Sequence, residues 1–249
     1  MRRNRAVVLL GLIGITLLAW AYTIHLAWNM GNMNMAMPRT QDWGVLELFL
    51  LFLMWAFMMA AMMVPSASPM VLMFTTTLQR RGHRQSALVQ PGLFVLGYLA
   101  IWTGFSLLAT LAQWGLHAAA LLSPQVVSTS PVLGGALLTT AGAYQWSPLK
   151  HACLRRCRSP LGFLMTEWRE GPVGALIMGL RHGVFCVGCC WALMALLFIT
   201  GVMNLLWIAA IAGFILVEKV IPAGEYVARL AGLLLIGFGI LMIADSINA

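Results

Sequence analysis

Apolar residues run along this chain in about seven long stretches, separated by short polar segments that hold most of its charge. A hydrocarbon layer of about 30 Å needs roughly 20 apolar residues in helical form to cross it. Stretches of that order lie at 6–28, 46–66, 89–112, 131–147, 184–202, 205–221 and 229–247. None alternates with the period of two that a barrel strand requires, and an open sheet edge cannot stand in lipid. The pattern predicts an all-α, polytopic helical membrane protein with about seven transmembrane helices, or six if the first is cleaved. The first stretch has the basic start and the Ala19-Trp20-Ala21 site of a signal peptide. It nevertheless continues to Trp28, an interfacial aromatic, so retention as an anchor is expected. Ahead of the fifth stretch, the segment 172–183 reads as a half-helix with a break or bend near Gly183. One unbroken helix would draw Arg181 into the membrane, at about 2.5–3.5 kcal/mol or more.

Composition agrees with this reading. The chain of 249 residues is 61% hydrophobic and 9% charged, against roughly 25% charged in a soluble domain. Its net charge of +8 would suit nucleic acid if it were spread over a polar surface, but its distribution excludes that role. With the amino terminus in the cytoplasm, Arg2, Arg3, Arg5, Arg80, Arg81, Arg84, Lys150, Arg155, Arg156, Arg158, Arg169, Arg181, Lys219 and Arg229 all fall on the inner side, and Arg39 alone falls outside. The expectation is a multi-pass bacterial inner-membrane protein with its carboxyl terminus outside. Residues 1–249 form a single transmembrane domain, with a Met-rich outer loop at 29–45 and a basic, Cys-containing cytoplasmic loop at 148–171.

The chemistry concentrates in the stretch MGLRHGVFCVGCCWALM at 178–194. On a helix Met178, His182, Cys186, Cys190 and Met194 are four apart and share one stripe, with Cys189 beside them. Thiols, imidazole and thioethers on one face suit a soft or borderline ion, copper first and zinc second. A lone buried cysteine usually acts as a small hydrophobe; three in five residues exceed that role. One helix supplies only two or three ligands, so a second element is needed, and the loop KHACLRRCR offers His151, Cys153 and Cys157. Arg155, Arg156 and Arg158 should lower those thiol pKa values. In the outer loop, Met30, Met33, Met35 and Met37 form a candidate capture motif for Cu(I), and Met54, Met58 and Met62 recur four apart on the second stretch. Glu218 and Lys219 read as the end cap of the sixth stretch. No zinc-protease helix, phosphate loop or nucleotide motif occurs, so nucleotide-driven pumping is not expected, and the balance leans against an enzyme without deciding it.

The blocks YQWSPLKHACLRRCRSP (144–160), GLRHGVFCVGCCWALMALLFITGVMNLLW (179–207) and WAFMMAAMMVPSASPM (55–70) resemble the bacterial family of predicted metal-binding integral membrane proteins. The resemblance implies a polytopic inner-membrane protein that binds metal, with Cys153, Cys157, His182, Cys186, Cys189 and Cys190 as the matching positions. The leading expectation is a soft-metal, copper-like binding protein that transports or delivers its ion to a metallochaperone or metalloenzyme partner. The alternatives are a membrane thiol–disulfide electron-transfer protein, using Cys186-x-x-Cys189, and an accessory subunit for a metalloenzyme.

Overall fold

A computed structural model describes residues 2–32, 44–82, 88–119 and 130–248. Among them the chain is helical, with no strand: α1 (Arg2–Asn32), α2 (Val45–Arg80), α3 (Val89–Ala118), α4 (Pro131–Tyr144), α5 (Pro148–Arg158), α6 (Pro160–Glu167), α7 (Gly171–Ala195), α8 (Leu197–Thr200), α9 (Leu205–Val220) and α10 (Gly224–Asn248). Among the described residues, five helical stretches are long and apolar enough to cross a membrane, at Arg3–Asn29, Val45–Arg80, Val89–Ala118, Gly171–Thr200 and Gly224–Ile247. This differs from the expected seven. At 1.5 Å per residue, the 14 residues of α4 and the 16 of α9 make helices of about 21 and 24 Å, shorter than these five. Both are bounded by strong local signals. Ser130 caps α4 ahead of Pro131, Asn204 caps α9, and Pro222 follows its end.

Three further expectations are corrected. The loop at 148–171 is largely helical, because Ser147-Pro148 and Ser159-Pro160 each supply a capping hydroxyl and a proline at the first turn. Helix α2 does not end at residue 66. It continues through Pro65 and Pro69 to Arg80, with the Ser66 and Ser68 hydroxyls donating to the Met63 and Val64 carbonyls beside the interruption. The bend expected at Gly183 is absent, and α7 runs unbroken to Ala195. Arg181 is half-exposed and paired with Glu167, so a continuous helix does not strand its charge. The interruption comes instead at Leu196, before the short α8 and Gly201 at φ +92°.

Close helix pairs build the body. Helices α3 and α7 approach so nearly that a Cβ on Gly179 would strike the Phe94 carbonyl, and one on Gly97 the Leu176 carbonyl. Helices α4 and α10 form a second such pair, where Gly142 faces the Gly232 carbonyl. Helix α2 lies against α1, α3 and α9 and fills the centre with Met54, Trp55, Met58, Met59, Met62 and Met63, all buried. The outer faces of α1 and α10 expose Leu10, Leu17, Leu18, Leu230, Leu233 and Phe238, a surface suited to hydrocarbon.

The α3–α7 contact yields a direct test. Gly179→Leu should lower stability by about 1–3 kcal/mol or more through overpacking. Gly104→Leu, at a position with nothing within 4 Å, should stay within about 0.5 kcal/mol. Thermal unfolding in detergent measures both.

Candidate metal centre

Helix α5 is amphipathic in a way that aims one thiol inward. Lys150, Leu154 and Cys157 recur at i, i+4 and i+7 and are its buried positions. The helix lies against α7, and the Tyr144 hydroxyl just before it donates to the Gly188 carbonyl. Gly188 is needed for that approach, since a Cβ there would sit 2.8 Å from Cys153 Sγ. Cys153 is half-buried at this contact, and Cys157 is buried.

From α7, Cys186, Cys189 and Cys190 enter the same interior, each no more than 1% exposed. The Cys157 thiol lies close enough to Cys186 and Cys189 for them to perturb it. The Cys189 and Cys190 thiols both donate to the Cys186 carbonyl, at 3.1 and 2.8 Å. Cys186 Sγ accepts from Lys219 Nζ at 2.9 Å and lies 3.1 Å from the Tyr98 hydroxyl. Lys219 Nζ also donates to Ser66 Oγ at 3.0 Å, and Tyr98 donates to the Met63 carbonyl at 3.1 Å. Thiols from two helices thus meet around one ammonium group. Beside them Glu218 pairs with Lys150 at 2.6 Å, both essentially inaccessible, and Lys150 also donates to Gln145.

The other predicted residues take separate places. All five members of the α7 stripe are buried. From Met178 to Met194 the stripe rises through 16 steps, about 24 Å of helix, so its ends cannot share one pocket. Met194 packs in the same cluster as the thiols, whereas Met178 packs with Phe74 and Phe94, its sulfur accepting from the Arg169 N–H at 3.3 Å. His182, one turn from Cys186, is caged by the rings of Tyr98, Phe163 and Phe94 at 5.4–5.8 Å, and its Nδ1 has no hydrogen-bond partner. His151 lines a groove with Trp146 and Arg155, away from the cysteine face of α5. Met33, Met35 and Met37 lie outside the described residues, and for Met30 only the backbone is described, at the end of α1.

The expected effect of the arginines is reversed. Burial, then proximity to Cys189, pushes the Cys153 thiol above its ordinary pKa. Cys157 is held well above it, because its proton bonds to the sulfurs of Cys186 and Cys189 and because it is buried. The guanidinium groups point elsewhere. Arg155 is exposed, Arg156 reaches Thr166, and Arg158 donates to the carbonyls of Ile221 and Pro222.

The donor set is soft, four thiols with thioethers nearby, and fits Cu(I) in kind. Among the described residues, no three His, Cys, Asp or Glu side chains already stand in positions that would hold an ion. The thiols are engaged with one another, with Lys219 and with a carbonyl, so ion entry calls for proton loss and side-chain rotation. Lys219, Tyr98, Ser66 and the Lys150–Glu218 pair did not emerge from the sequence reading. The available signal was an acid and a base inside the apolar run 205–221, where ionisable residues are costly and need partners.

Two outcomes follow from this geometry. Lys150→Met leaves the Glu218 carboxylate buried and unpaired and should cost about 3–5 kcal/mol in thermal unfolding. The double variant Lys150→Met/Glu218→Leu should recover most of that loss. Because its thiol is raised, Cys153 should carry less thiolate at pH 7.5 than free cysteine does. Iodoacetamide should label it more slowly than glutathione, with the rate still climbing above pH 9, as read by mass spectrometry.

A family model described as Copper chaperone matches residues 52–242, from within α2 to within α10 and including all five cysteines. Neither a curated protein nor a solved structure matches the chain. The family match and the soft donor set agree on copper binding or delivery, and the chain belongs to this copper chaperone family.

Proposed function

We propose that this protein sits in the bacterial inner membrane, binds Cu(I) in the thiol cluster of α5 and α7, and passes the ion on. The observation that carries this reading is the meeting of Cys157 with Cys186 and Cys189 inside a member of the copper chaperone family. Thiolates prefer Cu(I) among the available ions, and zinc is the competing candidate. With α5 on the cytoplasmic side, as the distribution of basic residues favours, the cluster lies near the inner end of the bundle.

The supply route in this reading begins at the outer methionines, Met30, Met33, Met35 and Met37. It continues along Met54, Met58 and Met62, which are four apart on α2 and buried. Thioethers bind Cu(I) without losing a proton, whereas thiols must release one to become strong ligands. An ion moving inward therefore passes from weaker neutral donors to tighter anionic ones. Cys153, half-buried beside Gly188, is the sulfur nearest an external partner.

The decisive measurement is anaerobic Cu(I) titration of the detergent-purified protein against a competing chelator, with elemental analysis for copper and zinc. The wild-type protein should bind about one copper ion per chain, and Cys157→Ser and Cys186→Ser should each weaken it by more than about 100-fold, beyond the loss typical of an outer-shell change. Equal, near-zero copper and zinc in wild type and variants would reject the centre. A reversible Cys186–Cys189 disulfide found by alkylation and mass spectrometry would instead assign the cluster to thiol–disulfide exchange.

A further inference from the structure

Arginines from two helices face one another across a groove that the copper chemistry does not use. Where α4 ends, α5 and α10 border an open groove of about 410 Å³ lined by Trp146, Pro148, His151, Arg155, Glu225 and Arg229. We propose that this groove binds a phosphate oxyanion, of the kind carried by the headgroup of an anionic phospholipid or by free phosphate.

Charge is the first argument. Arg155 on α5 and Arg229 on α10 bring two permanent cations to the groove, and His151 adds an imidazole. The single acid in the lining, Glu225, is drawn to Arg158 at 3.7 Å. Among the described residues neither Arg155 nor Arg229 has a carboxylate within ion-pair distance. The second argument is an unmet hydrogen bond. Arg229 Nε is buried without an acceptor, while its guanidinium lies 5.7 Å from the centre of the Trp146 ring. That Nε faces the protein, but a planar guanidinium also offers paired terminal N–H donors that match a phosphate, and among the described residues neither Arg155 nor Arg229 donates to a protein acceptor.

The rim favours a lipid source. Leu149, Tyr226 and Leu230, each at least 60% exposed, directly follow the lining residues Pro148, Glu225 and Arg229 in sequence, and in this proposal they lie along acyl chains while the headgroup sits between the arginines. Basic pockets between helices at the inner membrane surface bind anionic headgroups in this manner. The lipid source rests on the membrane reading above, whereas the oxyanion site does not, and neither depends on the thiols.

The test uses the full chain in neutral detergent, titrated separately with phosphatidylglycerol and with inorganic phosphate. Binding is read by native mass spectrometry and by the thermal midpoint, and copper stoichiometry is measured in parallel. Phosphatidylglycerol should remain bound and raise the midpoint. Arg155→Gln, at an exposed position that leaves the core untouched, and Arg229→Gln should each weaken it by about tenfold, the worth of one charge-assisted contact, with copper binding unchanged. Inorganic phosphate reproducing the effect with the same dependence on both arginines would assign the site to the free ion. Binding of neither ligand, or binding indifferent to both substitutions, would overturn the proposal whatever the copper result.

Discussion

Glu218 and Lys219 place two opposite charges side by side at the end of an apolar helix, and the arrangement of the site depends on where each one goes. Consecutive residues on a helix point about 100° apart, so the two cannot satisfy each other within a dry interior. Each reaches a different neighbour instead. Glu218 takes Lys150 of α5, and Lys219 takes Cys186 of α7 together with Ser66 of α2. An unpaired buried charge costs several kcal/mol, so these contacts fix the end of α9 between three other helices. The same bracket presses α5 onto α7 and brings Cys157 to Cys186 and Cys189.

The surroundings of the cluster are as informative as its donors. Met58, Met59, Met62 and Met63 are at most 2% exposed and share one core with the cysteines. Methionine is unbranched and adapts its shape at little cost. A wall of this kind lets thiols rotate toward an arriving ion while the backbone stays in place. The helix frame itself is stiff, because α3 and α7 touch backbone to backbone at Gly97 and Gly179. Stiff helices around adaptable side chains suit a site that must both accept and release.

How much of this could be read in advance followed from the range of the interaction involved. The α7 stripe was legible because its spacing of four is a local, periodic signal, and all five of its residues are indeed buried. The convergence of α5 with α7 was expected from the two cysteine groups lying on one side of the chain's charge pattern. The helical nature of 148–167 was also present in the letters, as two Ser-Pro pairs that a reading of the segment as a basic loop passed over. The bend at Gly183 was inferred from the cost of burying Arg181. That inference failed because Glu167, fourteen positions earlier, returns to meet the arginine outside the core. Lys219 and Glu218 passed as an end cap because their partners are 33 and 68 positions away in sequence, and no local pattern records such a distance. His151 was assigned to the thiols by adjacency alone, yet a residue two positions from Cys153 on a helix points to the opposite side.

Accessibility orders the sulfurs in a way that bears on delivery. Cys186, Cys189 and Cys190 are sealed, Cys157 is 8% exposed, and Cys153 is half-buried at the edge where α5 crosses Gly188. A site made only of sealed thiols would hold a soft ion tightly and exchange it slowly, since a partner's ligand could not approach. A single accessible thiol next to the sealed set permits stepwise exchange, in which each sulfur replaces another without leaving the ion bare. Capture of an ion by Cys153 or Cys157 releases a proton, and because both thiols are raised the proton competes with the ion more strongly there. In the proposed reading, a partner that protonates or competes for Cys153 would therefore loosen the outermost ligand first and leave the buried set intact until the ion departs.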